Sequence, residues 1–260
     1  KDGVTSENNK FYYNGEEVTI GDEQYFRNVS WTISYSFKTN TWISFHSYQP
    51  NYYVPFPNYF QSGINSGETL WNHNKSVDGF QNFYGEQFPY ILEYPFVYKL
   101  QDEILQSIRD YSSARIYSDI YTYYEPQDIL YFNKAIVWNS QQCSGVLNLV
   151  PKQKNNLAAY MQYPKYNADS VDIQVIKSNN FYNFNGIWDN VKEKNAPFFI
   201  PTDNPTQEEK HLTNIDYSNR SYKKHPLMAK DAKVRLILDN KNDFKLISRY
   251  CITEQAISYK

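Results

Sequence analysis

Between Val29 and Tyr59 the chain reads VSWTISYSFKTNTWISFHSYQPNYYVPFPNY, and the period of this stretch constrains it more than any other feature. Val29, Trp31, Ile33 and Tyr35 fall on one face of an extended chain, and Ser30, Thr32, Ser34 and Ser36 on the other. Strand side chains alternate between faces, so the pattern predicts a strand with one buried face and places Trp31 in a core. Phe37-Lys38-Thr39-Asn40 predicts a turn, with Asn40 suited to left-handed backbone. Thr41 to Tyr48 returns as a second strand. There Ile43 and Phe45 share one face and Trp42, His46 and Tyr48 the other, so cover on both faces is expected, with Trp42 the more open. Pro50, Pro55 and Pro57 then forbid a central strand and favour extended backbone. The tyrosines around them offer large contact area at little entropy cost. The stretch carries no catalytic motif and reads as architecture.

Short strand-like segments separated by turn signals recur along the chain. Asn14-Gly15 is a two-residue hairpin signal between Phe11–Tyr13 and Val18–Ile20. Thr69–His73, Phe80–Tyr84 and Phe88–Tyr94 follow as strands, with turns at Ser76–Gly79 and Gly85-Glu86. Leu100, Ile104, Leu105 and Ile108 share a face at helical spacing behind Asp102 and Glu103, which predicts a helix over Leu100–Ile108, against a pair of strands with a bulge. Strand character returns at Ala114–Tyr124, Ile129–Trp138 and Gly145–Val150, with a break at Glu125-Pro126. Val171, Ile173 and Val175 alternate with Asp172 and Gln174 as another strand. A short helix is expected at Ile187–Lys192, a segment that crosses the surface or reaches a neighbour at Pro197–Arg220, and a last hairpin joining Lys233–Leu238 to Phe244–Ile247. The expected class is mainly β: antiparallel hairpins in a sandwich- or blade-like arrangement, with one or two short helices and long extended loops. Polar Pro151–Asn156 divides residues 1–150, an aromatic-rich β domain, from residues 151–260, a second β subdomain; a single domain is the alternative.

Composition narrows the function classes. Tyr (26) and Phe (16) are abundant and Gly (9) is scarce. Part of this follows from A/T-rich codons, but 18% aromatic and 41% hydrophobic residues describe a packed protein rather than a disordered one. Surplus aromatics suit protein interfaces or sugar contacts. A net charge of −2 gives no drive toward nucleic acid or membrane surfaces. No apolar run reaches the ~18–20 residues of a membrane span, and no secretory leader is visible. Cys143 and Cys251 are far apart and read as free, buried thiols, consistent with assembly in a reducing cytosol. The chain begins at Lys1 rather than Met, as expected of a piece of something longer.

The sequence nominates no catalytic, cofactor-binding or metal-ligating residue. It lacks G-x-x-x-x-G-K-[ST], G-x-G-x-x-G and G-x-S-x-G, so neither a phosphate cradle nor a nucleophile elbow is signalled. His46, His73, His211 and His225 lack zinc-type spacing. Asn74–Gly79 imitates the opening of a calcium loop, but the twelfth position is Gly85 where a glutamate is needed, so it reads as a turn. Glu93, Asp102, Glu103, Glu125 and Asp128 are scattered, and a glycosidase pair depends on a separation that spacing does not give. Trp31, Trp42, Trp71, Trp138 and Trp188 would stack on sugars where exposed. Arg220, Lys223, Lys224, Lys230, Lys233 and Arg235 form a basic cluster, read as a solvated or intersubunit face, with a stripe lining a DNA channel as the sharper alternative. Asn28, Asn74 and Asn219 sit in N-x-[ST] patterns, which matter only in a host that glycosylates them.

The pattern W-x-x-S-Y-S, a short gap, then W-I-S-F-H-S-Y-x-P-N-Y-Y resembles large virion proteins of crAss-like phages of gut bacteria. It is carried here by Trp31, Ser34, Tyr35, Ser36, Trp42, Ser44, Phe45, Ser47, Pro50, Asn51, Tyr52 and Tyr53. Leu70-Trp71 with His73-Asn74, Phe83-Tyr84-Gly85, and the ending VRLILDNKNDFKLISRYCITEQAISYK extend it. The resemblance implies a tail component, the muzzle at the distal end of a short tail, in which this pattern lies toward the C-terminus of a much longer chain. It implies copies arranged in a ring, the remainder of a cleaved precursor and other tail proteins as partners, and transient contact with phage DNA or ejected cargo. It transfers no functional residues. The alternatives are a carbohydrate-binding or capsule-degrading tail module and a DNA-contacting cargo or assembly protein.

Overall fold

The structure is a computed structural model of the 260-residue chain. It describes residues 3–20, 22, 24–26, 31–46, 48–64, 69–73, 82–97, 103–105, 107–118, 123–127, 131–152, 163–178, 181–193, 214–218, 225–239 and 244–252. Among these every regular element is a strand, so the chain is mainly β, as its alternation predicts. It divides into two compact units, Lys1–Tyr52 with Gly63–Thr69, and Tyr53–Ser62 with Leu70–Lys260.

The first unit opens with β1 (Val4–Glu7), β2 (Lys10–Tyr13) and β3 (Glu16–Val18), an antiparallel meander. Asn14 and Gly15 take φ values of 53° and 84°, the left-handed pair that a two-residue hairpin turn requires. Two further strands, β4 (Thr32–Ser36) and β5 (Thr41–His46), form the second hairpin. Its turn closes as expected, with Asn40 at φ 55° accepting a hydrogen bond from the Tyr35 hydroxyl. Among the described residues of this unit, Tyr48 is the one buried hydrophobic side chain.

A three-stranded sheet follows, made of β6 (Tyr52–Pro55), β7 (Phe60–Gly63) and β8 (Trp71–His73), then a short hairpin of β9 (Asn82–Phe83) and β10 (Glu86–Gln87). The remaining strands are β11 (Tyr90–Val97), β12 (Glu103–Ile104), β13 (Ser107–Ser118), β14 (Tyr123–Gln127), β15 (Lys134–Trp138), β16 (Leu147–Pro151), β17 (Lys165–Tyr166), β18 (Val171–Ser178), β19 (Phe181–Asn185), β20 (Trp188–Asp189), β21 (His225–Pro226), β22 (Met228–Ala229), β23 (Asp231–Leu238) and β24 (Phe244–Ile252). Ten of them form one sheet in the order β11-β23-β15-β16-β18-β19-β13-β14, with β17 beside β18 and β24 beside β13. Its pairings are antiparallel except β16 with β18, which run parallel. Strands from both sides of Pro151 join this sheet, and β16 ends on that residue.

The core lies at the centre of the sheet. Val171, Ile173 and Val175 of β18 are buried at alternate positions, as their spacing predicts. Ala135–Val137 of β15 and Val234–Leu238 of β23 are buried at consecutive positions, which requires cover on both faces. Phe132, Ile187, Ile215, Tyr217 and Leu227 join the same cluster from connecting segments.

Four expectations are corrected. In place of a helix over Leu100–Ile108, Glu103–Ile104 and Ser107 onward are strands; β13 pairs with β19 and buries Ile108 and Asp110 at alternate positions. In place of a helix at Ile187–Lys192, β20 pairs with β21 and Val191 bridges to Ile215. Pro126 does not break its strand, because β14 is last in the sheet order and an edge strand has no need of the missing N–H. β23 and β24 do not form a hairpin: β23 lies between β11 and β15, while β24 pairs with β13. Most of the Pro197–Arg220 segment and all of Asn74–Gly79 lie outside the described residues.

Candidate interaction surface

The β4–β5 hairpin gathers its large side chains on one face through a single irregularity. Its register pairs Thr32 with His46, Ile33 with Phe45 and Ser34 with Ser44, then shifts so that Tyr35 pairs with Trp42. Ile43 is the extra residue of a β-bulge. Strict alternation would send Trp42 to the face opposite Phe45; the bulge returns it to the face of Ile33 and Tyr35. Ring contacts record the result: Trp31 meets Phe45 at 5.5 Å, and Tyr35 meets Trp42 at 4.8 Å and Phe37 at 5.2 Å, all edge-on. The other face is polar. There Ser34 Oγ lies 3.0 Å from His46 Nε2, and the Thr32 hydroxyl donates to the Tyr48 carbonyl at 2.7 Å.

Trp31, Phe37, Trp42, Ile43 and Phe45 each expose between 63% and 92% of their surface. Trp31 is therefore not the core residue that its position on an apolar strand face predicts. A two-stranded hairpin has no second layer of its own to bury such a face. Lys38 is the one Lys, Arg, Asp or Glu between Trp31 and Gly63, so the face is uncharged as well as aromatic. Such a surface can be covered by protein or stacked on by sugar. Sequence alternation marked its residues but divided them between two faces, because a bulge leaves no local signature here.

In the second unit the structure joins three residues that spacing left unconnected. Ser62 Oγ lies 2.7 Å from His73 Nε2 and 2.6 Å from the Tyr84 hydroxyl. The β7–β8 register sets Phe60 opposite His73, and the two rings stack at 4.5 Å. Ser62 is fully buried and His73 nearly so, and burial pushes the His73 imidazole below its ordinary value of 6.5. A Ser–His pair at this distance can activate a nucleophile, but an enclosed serine shared with a tyrosine hydroxyl cannot reach a substrate. The cluster ties β7, β8 and the Tyr84 turn together.

The other candidate residues are dispersed. Arg235 is buried; its Nε and Nη2 donate to Glu93 Oε2 at 2.9 and 2.7 Å, and its guanidinium lies 5.3 Å from the Trp138 ring. It is thus removed from the basic cluster, of which Lys230 and Lys233 are exposed and Arg220, Lys223 and Lys224 lie outside the described residues. Glu93 is the one carboxylate of the five whose side chain is described. Glu103 and Glu125 are placed by backbone in β12 and β14, while Asp102 and Asp128 lie outside the described residues. His46 is half-buried, with burial lowering its pKa, and His225 is exposed. His211, Asn28, Asn74 and Asn219 are outside the described residues. Cys143 is a free, buried thiol, pushed up to about 12 by burial and inert as a nucleophile, whereas Cys251 is placed only by backbone, opposite Asp110. Trp71, half-buried, meets Tyr84 edge-on.

An apolar recess of about 500 Å³ lies between Leu105, Pro164, Ile187, Trp188 and Pro226. Asn185 is its one polar side chain, too few to orient a small molecule. Among the described residues no group of three or more His, Cys, Asp or Glu is placed to hold a metal ion, and no helix is long and apolar enough to cross a membrane. No family model matches the chain, and no curated protein matches it.

Proposed function

We propose that this chain is a structural component of a bacteriophage virion tail, contributing to an oligomeric muzzle ring at the distal tail through which DNA or cargo passes. One observation supports this reading above the others. Trp31, Tyr35, Trp42 and Phe45 carry the resemblance to crAss-like phage virion proteins, and the same four side chains build the uncharged aromatic face of the β4–β5 hairpin. A pattern concentrated on such a face suits an assembly surface rather than a reaction centre. The role is mechanical: the ten-stranded sheet holds position and the aromatic hairpin engages neighbours. Its partners are copies of itself, the rest of a cleaved precursor and other tail proteins, with assembly in the host cytoplasm. Of the basic cluster, Lys230 and Lys233 are exposed and open to a partner, whereas Arg235 is buried.

Gold-labelled antibody against Val29–Tyr59, applied to intact virions of a crAss-like phage encoding this chain, tests the proposal. Label at the distal tail tip in several copies per particle is the expected outcome. Label seen only after capsid rupture overturns it in favour of a cargo protein. Label on fibres overturns it in favour of glycan recognition, the reading that the exposure of Trp31 and Trp42 also suits.

A further inference from the structure

We infer that the aromatic face of the β4–β5 hairpin packs against the same face of a second copy of this chain. The inference rests on the reading that the chain assembles with itself and names one contact of that assembly: like faces pair two copies, so the contacts that close a ring lie on other surfaces. Three observations lead there.

Area comes first. Trp31, Phe37, Trp42, Ile43 and Phe45 are each exposed by 63–92%. At roughly 200 Å² for a large side chain, the exposed parts of Trp31, Phe37, Trp42 and Phe45 total on the order of 600 Å². Monomeric proteins rarely leave a contiguous apolar patch of that size in water, and a standard interface takes ~800 Å² from each partner. Charge comes second. Lys38 is the one formal charge from Trp31 to Gly63, so nothing on the face recruits an acidic or basic partner. The complement of an uncharged aromatic face is another such face, which a second copy supplies. Architecture comes third. The hairpin has two strands, and its polar face is already occupied by the Ser34–His46 and Thr32–Tyr48 hydrogen bonds. Two hairpins placed face to face form a two-layered sandwich, the arrangement that buries a one-sided apolar sheet.

Sedimentation of the full 260-residue chain across a concentration series tests this, beside Trp42→Glu and Phe45→Glu. Both side chains are exposed, so the variants are expected to keep the wild-type circular dichroism spectrum. The expected result is reversible self-association by the wild type, weakened roughly thirtyfold or more in either variant, as for loss of a central aromatic anchor. A wild type that stays monomeric up to its solubility limit overturns the inference, as does association that both folded variants retain. A second measurement covers the case in which a variant misfolds. Phe45 is replaced by a photoreactive benzoylphenylalanine in a mixture of isotopically light and heavy chains. Mixed-isotope cross-links within residues 31–46 are expected; cross-links confined to one chain, or leading to another segment, overturn the inference. Tail-tip label together with a monomeric chain would retain the virion role and reject this contact. Self-association through the hairpin with label elsewhere would do the reverse.

Discussion

Gly145 shows how closely single positions are held in the larger unit. Its φ is 67°, in the left-handed region, and an added Cβ would lie 2.6 Å from Ile215 Cγ2 and 2.9 Å from Tyr217 Cε1. Tyr217 cannot withdraw freely, because its hydroxyl accepts a hydrogen bond from the Val146 N–H at 3.1 Å. Gly145→Ala therefore combines an unfavourable backbone conformation with overpacking, and a loss on the order of 3 kcal/mol is expected. Urea denaturation of the variant beside the wild type measures it, and a change within ~0.5 kcal/mol, typical of surface substitutions, would show that the loop relaxes. Arg235 makes the complementary point. Neighbours in sequence place it among lysines, but strand pairing places its buried guanidinium opposite the exposed Glu93 carboxylate in an ion pair.

At the scale of elements, the β7–β8 pair carries a pH dependence with a definite sign. Burial lowers the folded-state pKa of His73 below its ordinary 6.5. As pH falls through 6.5 the unfolded chain takes up the proton, and the folded chain does so only at lower pH. Stability is thus retained at neutral and alkaline pH and declines on acidification below 6.5. His46 is shifted in the same direction by the same cause. His73→Gln is expected to flatten the acid limb in part, leaving the His46 contribution, and denaturation midpoints of variant and wild type at neutral and mildly acidic pH measure this. An equal loss in both proteins would locate the acid sensitivity elsewhere. The bulge at Ile43 is the second decision taken at this scale: one extra residue converts a hairpin with aromatic residues on both sides into one with a single aromatic face.

Across the whole molecule, burial is concentrated in the second unit. β15, β16, β18 and β23 contribute most of the fully buried side chains, whereas the first unit has Tyr48 as its one buried hydrophobic residue among those described. Protection from hydrogen exchange follows buried contacts. Amides of β15 and β23 are expected to exchange slowest, and those of β4 and β5 near the unprotected rate in the monomer. Self-association should slow β4 and β5 selectively. Equal protection in β4 and β23 of the monomer would mean that the hairpin is stable without a partner.

Strand identity was legible in the sequence because it is a local property. The strands at Thr32–Ser36 and Val171–Val175 and the left-handed preferences of Asn14-Gly15 and Asn40 rest on signals that act over a few residues and hold in the structure, although the buried face that alternation predicts is present in β18 and not in β4. The apolar spacing at Leu100–Ile108 fits either a helix or two strands, and only pairing with β19 and β22 decided it. Partner choice is non-local. β23 joins β11 and β15 rather than β24 because its consecutive buried residues need neighbours on both edges and cover on both faces. The Ser62–His73–Tyr84 cluster and the single aromatic face of β4–β5 likewise depend on register across a turn. A shift of one residue reverses every side chain of a strand, and the sequence does not print that register.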